Sequence, residues 1–125
     1  MNISAKSPEI VIVSADADRY QLWSEQFGNR AQTRWIESGR QMLAHAAEKV
    51  PALALIDAVL PDMTPLELAR QLIFANALIN VALVSDAPEE HFHEATEGLG
   101  ILAQLPRVPD TETVPRLLSV LAALG

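Results

Sequence analysis

Three short runs of uninterrupted apolar residues constrain this chain most: Ile10-Val11-Ile12-Val13, Leu53-Ala54-Leu55-Ile56 and Val81-Ala82-Leu83-Val84. None alternates apolar with polar, as a strand with one wet face would. Runs of this length are too short for buried helices, so each reads as a strand covered on both faces. Between them lie longer stretches with helical periodicity. Parallel strands need long crossovers and helices supply them, so the alternation implies a parallel sheet with helices on both faces.

The helical stretches carry their own punctuation. Asp18–Phe27 places Leu22, Trp23 and Phe27 on one side, with Asp18 as the expected N-cap. Gln32–Ile36, where Thr33 and Trp35 alternate with polar neighbours, is a weaker strand suited to a sheet edge. Ser38 and Gln41 have capping-box spacing for a helix to Lys49, and Pro51 stops it. Thr64-Pro65-Leu66-Glu67 combines a threonine cap, a proline at the first helical position and a glutamate at the third. A polar helix is expected over Pro88–Gly98, a short last strand over Ile101–Leu105, and a final helix over Thr111–Leu124.

With 125 residues, half of them hydrophobic, the chain fits one domain, 1–125. Its formal net charge of −7 repels phosphate backbones and anionic membranes, which argues against direct nucleic-acid or membrane binding. Without cysteine there is no disulfide, thiolate metal site or thiol nucleophile, which suits a cytoplasmic protein. The Ile10–Val13 run is too short for a signal-peptide core or a membrane span. No Gly-rich phosphate loop or nucleophile elbow occurs, and Ser14 and Ser85 lack a His–Asp pairing, so no enzyme is expected. His91 and His93, among Glu89, Glu90 and Glu94, read as a solvated helix face rather than a metal site, and His45 has no evident partner.

Functional groups of such a sheet collect at the carboxyl ends of its strands, here Ser14, Ala15, Asp16, Asp57, Ser85, Asp86 and Leu105. Ile56-Asp57-Ala58-Val59-Leu60-Pro61-Asp62-Met63, followed by Leu66-Glu67-Leu68, resembles the phosphoacceptor loop of bacterial response-regulator receiver domains of the CheY-like kind. Glu37-Ser38-Gly39 with Met42-Leu43, Ser85, Gly98 and Pro106 fall at further positions of that family's pattern, so the resemblance spans nearly the whole chain. It implies a flavodoxin-like, doubly wound (βα)5 sandwich of α/β class, its five parallel strands in the order 2-1-3-4-5.

The resemblance also implies a chemistry, and the sequence keeps only part of it. Receivers accept a phosphoryl group from a histidine kinase on the aspartate matching Asp57. A serine or threonine matching Ser85 contacts the phosphoryl group. An acidic pair holds magnesium, and a lysine pairs with the phosphoryl. Here the acidic pair falls on Ser14 and Ala15, the lysine on Leu105 and the aromatic switch residue on Leu102. A site with one carboxylate holds magnesium weakly, and loss of the lysine removes a charge-assisted contact of roughly 1.5–3 kcal/mol. Asp16 and Asp86 are the weak candidates for completing a cation site with Asp57. Each also has a local reading: Asp16 in a loop, Asp86 as a helix cap. Asp57 itself reads either as a phosphoacceptor or as an aspartate that bonds loop amides.

The expected function is thus an atypical receiver of two-component or phosphorelay signalling, impaired in magnesium-dependent phosphorylation and acting through another signalling protein. That partner would be a histidine kinase, a phosphotransfer protein or an output protein, and a homodimer through helices four and five is compatible with the pattern. The alternatives are a working phosphoacceptor with an unusual cation site at Asp57, and a small-ligand sensor using the strand-end crevice.

Overall fold

The computed structural model describes residues 8–124, so the polar stretch 1–7 lies outside it. Five strands form one parallel sheet: β1 (Glu9–Val13), β2 (Gln32–Ile36), β3 (Leu53–Ile56), β4 (Asn80–Val84) and β5 (Ala103–Leu105). Their order is β2-β1-β3-β4-β5, as the resemblance implies. Four α-helices connect them, α1 (Gln21–Phe27), α2 (Gly39–Glu48), α3 (Pro65–Ala75) and α4 (Glu89–Thr96), and α5 (Thr113–Leu124) follows the last strand. No helix among the described residues is long and apolar enough to cross a membrane.

The unbroken apolar runs are explained by two cores. Strand side chains alternate between faces. Val11, Val13, Ala54 and Ile56 pack with Met42, Leu68, Leu72 and Phe92 of α2, α3 and α4. Ile10, Ile12, Leu53 and Leu55 pack on the other face with Trp23, Phe27, Val114 and Leu117 of α1 and α5. Both faces of β1 and β3 are therefore dry, and only edge strand β2 alternates between exposed and half-buried residues.

The helix starts mix agreement and correction. The Ser38 hydroxyl accepts from the Gln41 N–H at 3.2 Å, and the Thr64 hydroxyl accepts from the Glu67 N–H at 3.1 Å, with Pro65 at the helix start. Asp18, the expected cap of α1, lies instead in a 3-10 turn over Ala17–Tyr20, and α1 starts three residues later. Asp86 does not cap α4, because Pro88 holds the N-cap position and no side chain caps there. The final helix begins at Thr113 rather than Thr111, and Asp110 precedes it, accepting from the Thr113 hydroxyl at 2.7 Å and the Thr113 N–H at 2.9 Å. Strand β5 is shorter than expected: only Ala103–Leu105 joins the sheet.

Candidate functional site: a buried aspartate held by hydroxyls

Strand register brings Ser14 and Asp57 together. Val13 is paired with Ile36 on one side and Ile56 on the other, so the next residues of β1 and β3 emerge side by side. The ladder continues one step past the strands. The Ser14 N–H donates to the Ile36 carbonyl and the Asp57 N–H to the Val13 carbonyl, both at 2.9 Å. Both side chains are thus fixed at their roots.

The carboxylate of Asp57 is buried, with 6 % of the residue exposed, and both oxygens are taken. Oδ2 accepts from the Ser14 hydroxyl at 2.8 Å. Oδ1 accepts from the Tyr20 hydroxyl at 2.5 Å and from the Ala58 N–H at 2.6 Å. Ser14 Oγ accepts in turn from the Asp16 N–H at 2.9 Å; its one proton has the Asp16 carbonyl at 3.2 Å and Asp57 Oδ2 at 2.8 Å within reach, and the nearer, charged carboxylate is the stronger acceptor. A buried carboxylate needs such donors to offset its lost hydration. Here two hydroxyls and an amide supply them, and among the described residues no cationic side chain hydrogen-bonds to it.

Tyr20 was not among the residues singled out from the sequence. It lies in the 3-10 turn that replaces the expected start of α1, is fully buried, and leans on Trp23 with ring centroids 5.3 Å apart. Burial, then the hydrogen bond and the charge of Asp57, push the Tyr20 hydroxyl well above its ordinary range. Arg19 and Arg107 oppose that shift without cancelling it. The signal that could have found Tyr20 is general: a buried tyrosine needs a partner for its hydroxyl.

Ser85 does not hydrogen-bond to Asp57. Its hydroxyl accepts from the Ala87 N–H at 3.1 Å, closing a turn inside its own loop. The Gln104 amide fastens that loop from β5, donating to the Ser85 carbonyl at 3.1 Å and the Ala87 carbonyl at 2.9 Å. Ser85 also lines a crevice of about 320 Å³ with Thr64, Leu66, His91, Phe92 and Arg107. Leu105 is buried in the core beneath α1 and α5, and Leu102 is half-buried against the same core.

Ala15 and Asp16 are exposed, and Asp86 is exposed beside Arg107, whose Nη1 lies 4.0 Å from Asp86 Oδ2. The described residues contain no group of three or more His, Asp or Glu side chains that could hold a metal. Asp57 is thus a single buried carboxylate with both oxygens already accepting hydrogen bonds, a poorer fit to magnesium than one or two carboxylates with oxygens free to ligate. At the opposite ends of the strands, His45 has a partner after all. Its Nε2 lies 2.8 Å from Glu9 Oε1, and Arg34 Nε lies 3.0 Å from Glu9 Oε2.

Comparison with solved structures places this geometry. The fold matches the signal receiver domain of an HD domain-containing protein from Pseudomonas fluorescens, at 17 % identity over 99 % of this chain and 92 % of that one, with a TM-score of 0.82. It matches a CheY-like response regulator receiver domain from Methanospirillum hungatei at 20 % identity, over 96 % and 100 % of the two chains, with a TM-score of 0.77. A two-component response regulator from Legionella pneumophila matches at 21 % identity, over 94 % and 99 %, with a TM-score of 0.78. The chain has the fold of signal receiver domains. No family model matches its sequence, and no curated protein is similar to it in sequence. The likeness is one of backbone, so Asp57 must be interpreted from its own surroundings.

Proposed function

We propose that this chain is an atypical receiver domain of two-component signalling that is impaired in magnesium-dependent phosphorylation and acts by binding another signalling protein. The observation that carries the reading is the state of Asp57. Its two oxygens are held by Ser14, Tyr20 and Ala58, whereas an acceptor needs one of them free to meet phosphorus. Phosphoryl transfer depends on positioning and on neutralising charge, and among the described residues neither a second carboxylate nor a lysine hydrogen-bonds at Asp57 to do so. Ser85 is likewise committed to its own turn. The domain is then a cytoplasmic binding module rather than an enzyme. It presents one fixed surface to a histidine kinase, a phosphotransfer protein or an output protein.

The test is incubation with acetyl phosphate and millimolar magnesium, read by intact-protein mass spectrometry. The expected result is no phosphorylated species. A phosphorylated fraction that disappears in Asp57→Asn would instead establish a working acceptor with an unusual cation site.

The crevice beside Ser85 favours a second reading, as a small-ligand sensor. At about 320 Å³ it falls at the lower end of ligand-pocket sizes, with an apolar floor of Leu66, Leu83 and Phe92 and polar groups from Thr64, Ser85 and Arg107. Native mass spectrometry of the purified chain checks this: a retained small molecule supports the sensor, and a bare chain favours the protein-binding module.

A further inference from the structure

Away from the strand ends, Phe74 in the last turn of α3 is 94 % exposed. Leu78, in the turn that follows, is exposed as well. That turn is hydrogen-bonded: the Leu78 N–H donates to Asn76 Oδ1 at 2.9 Å and the Ile79 N–H to the Asn76 carbonyl at 3.1 Å. Ile73 and Phe74 form one wall of an open hollow of about 440 Å³, and Gly98 and Leu99 form the other. Glu94, Glu97 and Ile101 line a neighbouring hollow on the same Glu97–Ile101 turn. Glu90, one turn before Glu94, extends this exposed carboxylate row along α4, while Glu89 lies 3.8 Å from His93. Arg70, on the α3 wall, is the one cation lining the Phe74 hollow.

A phenylalanine held in water beside an apolar hollow marks a surface suited to a partner, since aromatic anchors in pockets dominate interface energetics. Charge selects the occupant. The chain carries −7, and a second copy would bring the same glutamates against this rim, which opposes self-association. We propose that this groove binds a basic amphipathic segment of another protein. An apolar side chain of that segment would seat against Phe74 and Leu99, and its lysines or arginines would face Glu94 and Glu97. The proposal goes beyond the reading of Asp57 and stands whether or not that residue accepts a phosphoryl group.

The test uses the full chain, isotope-labelled and free of magnesium. It is titrated with a synthetic helix that has leucines on one face and lysines on the other. The control is a peptide of the same composition scrambled to lose its apolar face. The expected result is amide shifts centred on Ile73, Phe74, Glu97 and Leu99, and an affinity that falls as salt rises. Phe74→Ser and the double variant Glu94→Lys/Glu97→Lys, each with unchanged spectral dispersion, should each weaken binding at least tenfold. Equal binding of the scrambled peptide, shifts centred on another face, an unchanged affinity in Phe74→Ser, or self-association of the free chain through Phe74 in sedimentation would overturn the proposal.

Discussion

Replacing Tyr20 by phenylalanine removes one oxygen from a fully buried ring and leaves its packing on Trp23 in place. What is lost is the hydrogen bond to Asp57 Oδ1. Hydrogen bonds to charged groups are worth about 1.5–3 kcal/mol. Oδ1 keeps the Ala58 N–H and Oδ2 keeps Ser14, so the carboxylate is not orphaned and the cost should sit near the lower end, about 2 kcal/mol. Over a urea dependence of roughly 1.5–2 kcal/mol per molar, that is a midpoint shift of about 1 M. The expected fall in Tm is roughly 6–10 °C. Urea unfolding at neutral pH measures the effect directly, and a double-mutant cycle with Asp57→Asn isolates the pair, with an expected coupling of about 1–2 kcal/mol. The pH dependence has a definite sign. The hydroxyl's raised value in the folded state means that its contribution is complete below the ordinary tyrosine value of 10.0. It is lost as pH rises beyond that, because the unfolded chain deprotonates first. The gap between wild type and Tyr20→Phe should therefore narrow above about pH 10. A stability loss below about 0.5 kcal/mol with no coupling to Asp57 would refute the hydroxyl cage.

Other perturbations test the rest of the structure. A Cβ added at Gly39 would lie 2.6 Å from Met63 Sδ, so Gly39→Ala should cost about 1 kcal/mol, and Met63→Ala in the same chain should offset part of that in thermal melts. Burial raises the Glu9 carboxyl, but hydrogen bonds from His45 and Arg34 outweigh it and hold it below its ordinary 4.5. Its contribution is therefore present above that value and lost as pH falls below it, and Glu9→Gln should be less stable than wild type at pH 7 with a shallower acid limb in pH-dependent urea unfolding. Gln104→Ala removes both side-chain bonds from β5 to the β4–α4 loop, and hydrogen exchange at Ala87 should speed up by about tenfold.

The parts of this molecule that were legible in the sequence are those written locally. The apolar runs Ile10–Val13, Leu53–Ile56 and Val81–Val84 announce strands with two dry faces. Ser38 and Thr64 announce their helices because the bonds they make span only three residues. Asp18 and Asp86 obey the same capping rule on paper, yet tertiary packing winds the Asp18 segment into a 3-10 turn and Pro88 takes the α4 cap. The candidate site is harder to read because its bonds cross between elements. Tyr20 and Asp57 are 37 residues apart, His45 and Glu9 are 36 apart, and Gln104 reaches back 17 and 19 residues to its two carbonyls. No periodicity encodes such pairs. The residues Ser14, Ala15 and Leu105 stand in plain view in the sequence, but the bonds from Ser14 and Tyr20 to Asp57 required the geometry.

Under the proposed function, Asp57 is held by hydroxyls and does not accept a phosphoryl group. The most direct measurement is an amide NMR titration of the full chain with magnesium and beryllium fluoride, an aspartyl-phosphate mimic, with Asp57→Asn as control. The expected result is no shift at Ala58, Ser85 or Ala87 at millimolar magnesium. Shifts centred on those residues that vanish in Asp57→Asn would contradict the claim and return the chain to the working receivers.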